Sequence, residues 1–399
     1  MKEYDRIQIQ DICTRICSGG TPKSTVEEYY GGTIPWLNTK EVNFNRIHST
    51  EKTITEKGLQ NSSAKWIDEN AVIVAMYGAT AGKSAIAKIP LTTNQACCNL
   101  NVDPNKADYR FVYYALYNDY NRLASLANGG AQQNLNAMQI KEFNIPYPSL
   151  EEQTAIADFL SALDDKIEIN RQINDNLEQQ AQALYKSWFV DFEPFKDGEF
   201  IESELGQIPE GWQCIPFSMF VSESKAKTGK IGIKEYSVTN NGIFPRDAKY
   251  NKSLSQSSTK NKLILYGDLV FGMSRDILNW GVMQEEQGGV SSAYTVYNIN
   301  SGIVNSTYLE LFIKSRIHLF SDLIRPAARE GQGIDKSVLQ TKVLLCPPQE
   351  VLDTFWPLYN SVTNQIQRTT TEINFLGDVR DTLLPKLMSG ELKINEIDC

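Results

Sequence analysis

The sequence contains a long internal repeat, which restricts the possible folds more than any other feature. Residues 132–188 recur loosely at 331–387 without gaps, at a constant offset of 199. Shorter matches precede this repeat in each half, pairing 71–76 with 268–273 and 4–9 with 212–217. A solenoid unit of roughly 20 to 50 residues is too short to explain such a repeat. The chain therefore uses one module, a domain followed by a helix, twice.

Composition places the chain among ordinary globular proteins. Its 399 residues leave room for two or three domains, and 41% of them are hydrophobic. The charged start, 1–6, does not resemble a signal peptide, and apolar runs such as 71–76 are far too short to span a membrane. The seven cysteines form no CxxC pair and there are two histidines, so neither a disulfide framework nor a metal site is indicated. We expect a cytoplasmic protein without membrane contact.

The net charge of −9 is unevenly distributed along the chain. Residues 1–150 have 15 basic and 14 acidic side chains, and 198–348 have 16 and 15, so each segment is +1. Residues 151–197 have 4 and 11, giving −7, and 349–399 have 4 and 8, giving −4. Because the two larger segments are close to neutral, the overall charge does not exclude binding to DNA.

Both large segments show the same order of elements. Short strands and turns rich in Gly and Asn come first, and an amphipathic helix follows at about 107–127 and about 307–324. A glycine-containing loop comes next, at 128–133 and 330–333, and then a short strand that ends at proline. We predict an α+β fold in which domains 1–150 and 198–348 each contain a mixed, curved β-sheet with few helices.

The acidic segments 151–197 and 349–399 have heptad patterns in the same phase. Both lose the apolar residue at the same place, Asn170 and Thr369, which predicts that the two helices pair in a fixed register. Each helix is expected to run about 35 residues, or roughly 50 Å, with fraying or kinking at Pro357 and Pro385. The predicted pairing residues are Ile156, Leu160, Leu163, Ile167, Asn170, Leu177 and Leu184 in the first helix and Phe355, Tyr359, Val362, Ile366, Thr369, Ile373, Leu376 and Leu383 in the second.

The segment 78–84 resembles a phosphate-binding loop but has three residues between its glycines, where the motif requires four. The residues after it, 84–90, also resemble a second strand and not a long helix. We interpret 71–90 as a hairpin whose loop meets a phosphate backbone through Tyr77, Thr80, Lys83 and Ser84. NTPase activity at this loop is the alternative.

Other predicted nucleic-acid contacts are basic residues. Lys40 follows Trp36 in the first domain, and the second domain has a basic loop around 225–234. We expect Lys40, Lys225, Lys227 and Arg275 to lie on the nucleic-acid surface. The alternative is that these are ordinary solvated charges.

Catalytic motifs are missing from the sequence. Methylation of a base amino group would require an Asn/Asp-Pro-Pro-aromatic motif. The Pro-Pro pair of this sequence, Pro347-Pro348, does not form that motif because Cys346 precedes it and Gln349 follows it. A nuclease centre would require a Pro-Asp pair followed by an acidic-x-Lys triplet. Residues 391–393 form such a triplet, but no Pro-Asp pair precedes it. We therefore predict a chain with no catalytic residues and no cofactor of its own.

Several segments resemble the specificity subunits of Type I restriction-modification systems, and the likeness extends over nearly the whole chain. They include Ile34-Pro35-Trp36, Ile145–Gln153, Leu184–Phe189, Glu204–Trp212 and Leu383–Leu392. One departure lies at 347–351, at the start of the second helix. It lacks the Glu-Gln pair that is present at the start of the first helix.

The resemblance implies two target-recognition domains separated by two long antiparallel coiled-coil helices. Each domain would recognise one half of a split, asymmetric site in double-stranded DNA, and the helices would set the gap. Two modification (methyltransferase) subunits and the restriction (motor-nuclease) subunits would be partners, and S-adenosylmethionine, ATP and Mg would bind to them. The alternatives are a fused restriction and methylation enzyme, an NTPase, or a coiled-coil scaffold with no role on DNA.

Overall fold

The computed structural model describes residues 4–127, 134–229, 232–246, 258–274, 277–324 and 334–396. The chain forms two compact units, and each unit contains one domain together with part of both long helices. Unit 1 consists of Met1–Asp175 and Gln367–Cys399, and unit 2 consists of Asn176–Ile366. The glycine loops predicted at 128–133 and 330–333 lie outside the described residues, as does Arg275.

Unit 1 is a mixed α+β structure. Its strands are β1 Arg6–Gln8, β2 Cys13–Ser18, β3 Tyr30–Leu37, β4 Asn45–Ile47, β5 Lys52–Ile54, β6 Trp66–Ile67, β7 Val72–Ala75, β8 Ser84–Ala87, β9 Leu91–Thr93, β10 Cys97–Val102 and β11 Asn144–Pro146. Its short helices are α1 Glu56–Gln60, α2 Tyr109–Asn118, α3 Tyr120–Ala124 and α4 Ala137–Lys141. One sheet has the order β2-β10-β7-β8-β4, a second has the order β5-β3-β9-β6, and β1 pairs with β11.

The central strands of unit 1 are buried on both faces, which explains their continuous apolar sequence. Successive side chains of a strand point to opposite faces. Val72 and Val74 of β7 therefore pack with Phe111 of α2, while Ile73 and Ala75 pack with Leu37 and its neighbours on the other face. The sheets are mixed because β4–β8 and β3–β9 are parallel pairs.

Unit 2 has strands β12 Phe200–Ser203, β13 Gly206–Pro209, β14 Gln213–Pro216, β15 Val221–Ser224, β16 Tyr236–Thr239, β17 Gly242–Pro245, β18 Lys262–Leu265, β19 Leu269–Ser274, β20 Ile277–Val282, β21 Gln287–Val290, β22 Thr295–Ile299 and β23 Val343–Cys346. Its short helices are α6 Ser306–Ser315 and α7 Lys336–Thr341. The main sheet has the order β15-β22-β19-β20, and the pairs β12-β13, β14-β23, β16-β17 and β18-β21 accompany it.

The internal repeat is present in three dimensions. The order β2-β10-β7-β8 in unit 1 corresponds to β15-β22-β19-β20 in unit 2, and the pair β1-β11 corresponds to β14-β23. Both α2 and α6 are ten residues long, and an Asx side chain caps each of them, Asp108 and Asn305. The prediction of two similar α+β domains is therefore confirmed.

The two long helices are α5, Leu150–Phe189, and α8, Gln349–Ser389. They contain 40 and 41 residues, so each is about 60 Å long at 1.5 Å per residue. Both exceed the predicted length, and α8 stays helical through Pro357 and Pro385. In the part of the chain that the structure describes, no helix is long and apolar enough to cross a membrane.

Within each unit the two helices run antiparallel. In unit 1, Asn174 lies opposite Thr370 and Asp164 lies opposite Arg380, so positions rise along α5 as they fall along α8. In unit 2 the Phe189 ring of α5 contacts the Phe355 ring of α8. The helix pairing expected from the heptad patterns and the antiparallel direction implied by the resemblance are both confirmed. Every predicted pairing residue named above is buried or half-buried.

Candidate nucleic-acid interface

The glycine-containing segment of unit 1 is the loop of an antiparallel hairpin. β7 pairs with β8, and Gly78 and Gly82 adopt left-handed backbone conformations that turn the chain between them. A strand, and not a helix, follows the loop. Because a phosphate-binding loop presents its amides at a helix N-terminus, this geometry does not support NTPase activity.

The hairpin loop contacts the neighbouring turn that contains Lys40. Thr80 Oγ1 donates a hydrogen bond to the Thr39 carbonyl oxygen at 2.9 Å, and Lys83 Nζ donates to Asn43 Oδ1 at 2.6 Å. The Lys83 ammonium also lies 5.8 Å from the centre of the Phe44 ring. The structure therefore brings together three of the predicted contacts, Lys40, Thr80 and Lys83.

Lys40 and Lys83 differ in how much charge they offer. Lys40 Nζ lies 2.5 Å from Glu51 Oε2, and this hydrogen bond raises the pKa of Lys40 above its ordinary value. Lys83 is held by the neutral amide of Asn43. The Glu51 carboxylate neutralises the positive charge of Lys40, whereas the uncharged Asn43 side chain does not neutralise that of Lys83. Lys83 is therefore the better site for a phosphate.

Two further predicted contacts are placed differently. Tyr77 is exposed and forms an isolated backbone bridge with Asn134. Ser84, in contrast, is fully buried at the start of β8. Its hydroxyl oxygen is also buried, so the prediction that the loop offers Ser84 to a phosphate does not fit this structure.

Unit 2 has a cluster of lysines around one carboxylate. Lys336 Nζ lies 2.5 Å from Glu223 Oε1, and this hydrogen bond lowers the pKa of Glu223, as do the nearby Lys262 and Lys225. Lys227 forms a backbone bridge with Lys262, whose Nζ donates to the Tyr294 carbonyl oxygen at 2.5 Å. Burial lowers the pKa of Lys262. The predicted Lys225 and Lys227 thus belong to a larger basic cluster.

A network of polar side chains joins the domain of unit 1 to both long helices. Tyr114 Oη on α2 donates to Asp164 Oδ2 at 2.6 Å, and the Arg380 guanidinium donates to Asp164 Oδ1 at 2.7 Å. Arg380 also donates to the Tyr117 hydroxyl and to Asp381. Burial raises the pKa of the Tyr114 phenol, and the Asp164 carboxylate raises it further.

Comparisons with known proteins agree with this architecture. The family described as "Type I restriction modification DNA specificity domain" matches residues 1–179. The MjaIX specificity subunit of Methanocaldococcus jannaschii is 30% identical, over 99% of this chain and 95% of the relative. The EcoKI specificity subunit of Escherichia coli is 23% identical, over 90% of this chain and 82% of the relative.

The chain belongs to the family of Type I restriction-modification specificity subunits. A crystal structure of the S subunit from M. genitalium has the same fold, with a TM-score of 0.54, 16% identity and 96% coverage of both chains. The specificity-subunit family expected from the sequence motifs is therefore confirmed, and the alternatives of a fused enzyme, an NTPase or an unrelated scaffold are not supported.

Sequence reasoning missed some residues at the candidate interface of this specificity subunit. Lys262 and Lys336 of the unit 2 cluster were not identified, because the pairing of 227 with 262 is not visible in a linear pattern. Phe44, which lies beneath Lys83, was missed for the same reason. Within the described ranges no group of three His, Cys, Asp or Glu side chains has the arrangement of a metal site.

Proposed function

We propose that the chain is the non-catalytic DNA-recognition subunit of a Type I restriction-modification complex, and that each unit recognises one half of a split, asymmetric DNA site. The observation that supports this most directly is the repeated strand order combined with different loops. A repeated scaffold supplies two equivalent recognition elements, and different loops give them different base preferences. Tethering two weak recognition elements raises the effective concentration of the second.

In unit 1 the proposed contact surface is formed by Tyr77, Thr80, Lys83 and Lys40. Lysine and hydroxyl side chains on loops suit the phosphate backbone, which supplies most of the affinity without sequence preference. The proposed contact surface of unit 2 is its basic cluster, in which Lys225, Lys227 and Lys336 are exposed. Tyr77 has an exposed ring that suits contact with base edges or sugars.

The long helices would set the gap between the half-sites and bind two modification subunits. Their outer surfaces support a docking role, because Ile169, Phe375 and Leu358 are all exposed on α5 and α8. The restriction subunits would bind to the same complex, which would be cytoplasmic. S-adenosylmethionine, ATP and Mg would bind to these partners, which would perform methylation and cleavage.

The test is methylome sequencing of cells that express this chain with its modification subunit, compared with cells that express the modification subunit alone. We expect a methylated motif that requires both chains and consists of two different half-sites separated by a fixed gap. A continuous or palindromic motif, or a motif that does not depend on this chain, would contradict the proposal.

A further inference from the structure

The two units differ at one set of equivalent positions, where each domain meets the helix pair. The helix repeat relates Asp164 to Thr363 and Arg380 to Ala181 at the offset of 199. The caps of α2 and α6 give an offset of 197, which relates Tyr114 to Leu311 and Tyr117 to Lys314. The four polar residues of unit 1 thus correspond to Thr363, Ala181, Leu311 and Lys314 in unit 2.

In unit 2 these four counterparts line a cavity of about 230 Å³. The helices of unit 2 nevertheless pair, through rings such as Phe355, Phe189 and Tyr185. Unit 2 is therefore an internal control, which shows that helix pairing does not require an ion pair at this place. An ion pair like Asp164–Arg380 of unit 1 is therefore not a general requirement for helix association.

Arg380 occupies a heptad position that is normally apolar, and its side chain is only 18% exposed. A charged residue at such a position costs stability unless it is paired, and such residues more often specify an arrangement than strengthen it. Arg380 and Asp164 hold three helices together, because Asp164 accepts from Tyr114 of α2 and Arg380 donates to Tyr117 of α2. Charge-assisted hydrogen bonds restrain direction, whereas apolar contacts allow sliding.

The contacts continue from α2 to the proposed DNA-contacting loops. The Arg380 guanidinium lies 5.2 Å from the centre of the Tyr117 ring, and the Tyr117 and Phe44 rings are 4.4 Å apart. The Tyr117 and Phe44 rings meet edge to face, and the Lys83 ammonium lies 5.8 Å from the Phe44 ring centre. A continuous set of contacts therefore leads from the helix pair to Lys83.

We infer that Arg380, together with Asp164, is a positioning residue that fixes the DNA-contacting loops of unit 1 relative to the helices that set the gap. The inference rests on the proposed function. It concerns unit 1 alone, because unit 2 has a cavity at the equivalent place. Loss of Arg380 should relax the spacing requirement of the site while leaving its bases unchanged.

The experiment uses the full chain with its modification subunit and measures methylation of two DNA duplexes, one with the native gap and one with the gap longer by one base pair. The wild-type complex should prefer the native gap strongly. In Arg380→Ala we expect this preference to fall by about tenfold, the equivalent of about 1.4 kcal/mol. A purely structural loss would reduce the active fraction and slow methylation of both duplexes equally. The ratio of the two methylation rates therefore separates a positioning role from a purely structural one.

Lys166→Ala is the matched control, because Lys166 pairs with Glu372 across the same helices, is exposed, and is not part of the network. Its ratio should equal that of wild type, and Arg380→Lys should restore part of the preference. If Arg380→Ala does not fold, Tyr114→Phe removes one hydrogen bond to Asp164 and should lower the ratio in the same direction. An unchanged ratio in the folded variants would overturn the inference, whereas a wild-type complex without a split site would overturn the proposed function.

Discussion

The central hairpins of the two units have the same strand pairing and different ends. In unit 1, β7 and β8 are joined by the loop 76–83, which contacts the turn at Thr39 and Asn43. In unit 2, β19 and β20 are separated only by positions 275 and 276. The strands retain their order because both faces are buried, whereas the loop is free to change in length and chemistry. Two recognition surfaces can therefore differ on one scaffold.

The same contrast is found where each domain meets the helices. Position 156 is Ile in unit 1 and its counterpart, 355, is Phe in unit 2, and both side chains are buried. In unit 2 this Phe joins Tyr185, Phe189 and Tyr359 in an aromatic cluster. Unit 1 instead combines aliphatic packing with the Asp164–Arg380 network. Aromatic contacts stabilise one attachment, and directed hydrogen bonds orient the other.

The largest expected effect on stability comes from replacing the buried residues at the equivalent positions 156 and 355. Phe355→Ala should destabilise unit 2 by about 4 kcal/mol and Ile156→Ala should destabilise unit 1 by about 3 kcal/mol, since large-to-small core substitutions lose burial and leave a cavity. Urea unfolding measures both, and tryptophan fluorescence reports mainly on unit 2, which contains Trp188, Trp212, Trp280 and Trp356. Ile169→Ala, at an exposed position, should change stability by less than about 0.5 kcal/mol. Equal losses of unfolding free energy in all three variants would contradict the roles given to Ile156 and Phe355 in attaching the domains to the helices.

A smaller effect distinguishes the two lysines of unit 1. Removing Lys83 should lower the slope of log affinity against log salt by about 0.9, because one phosphate contact is lost. Lys40→Ala should change the slope less, because Glu51 already neutralises Lys40. Binding of the complex to its own site at several salt concentrations provides the slopes. If the slopes of Lys83→Ala, Lys40→Ala and wild type are the same, neither lysine contacts phosphate.

The parts of this account that were predictable from sequence depend on local patterns. The heptad phase revealed both helices, and glycines between apolar runs revealed the β7–β8 hairpin. The burial of Ser84 was not predictable, because it depends on which elements cover both faces of β8. The same is true of the Asp164–Arg380 pair, whose members are 216 residues apart, and of the Lys227–Lys262 bridge. Each depends on a contact that no short segment encodes.

The central claim is that one scaffold presents two independent recognition surfaces, and a segment exchange tests it most directly. Arg6 of β1 lies opposite Pro146 of β11, and Cys214 of β14 lies opposite Leu345 of β23, so the segments Arg6–Pro146 and Cys214–Leu345 begin and end at equivalent places. The chimera replaces Cys214–Leu345 with a second copy of Arg6–Pro146. It also has Ala181→Arg and Thr363→Asp, which supply partners for the second copies of Tyr114 and Tyr117.

Methylome sequencing of cells that express this chimera with the modification subunit is the decisive measurement. The account predicts a split motif in which both halves contain the bases of the first half-site, because each recognition segment would determine its own bases. A chimera that folds and supports methylation, but keeps the original second half-site, would contradict the claim that the exchanged segment recognises DNA.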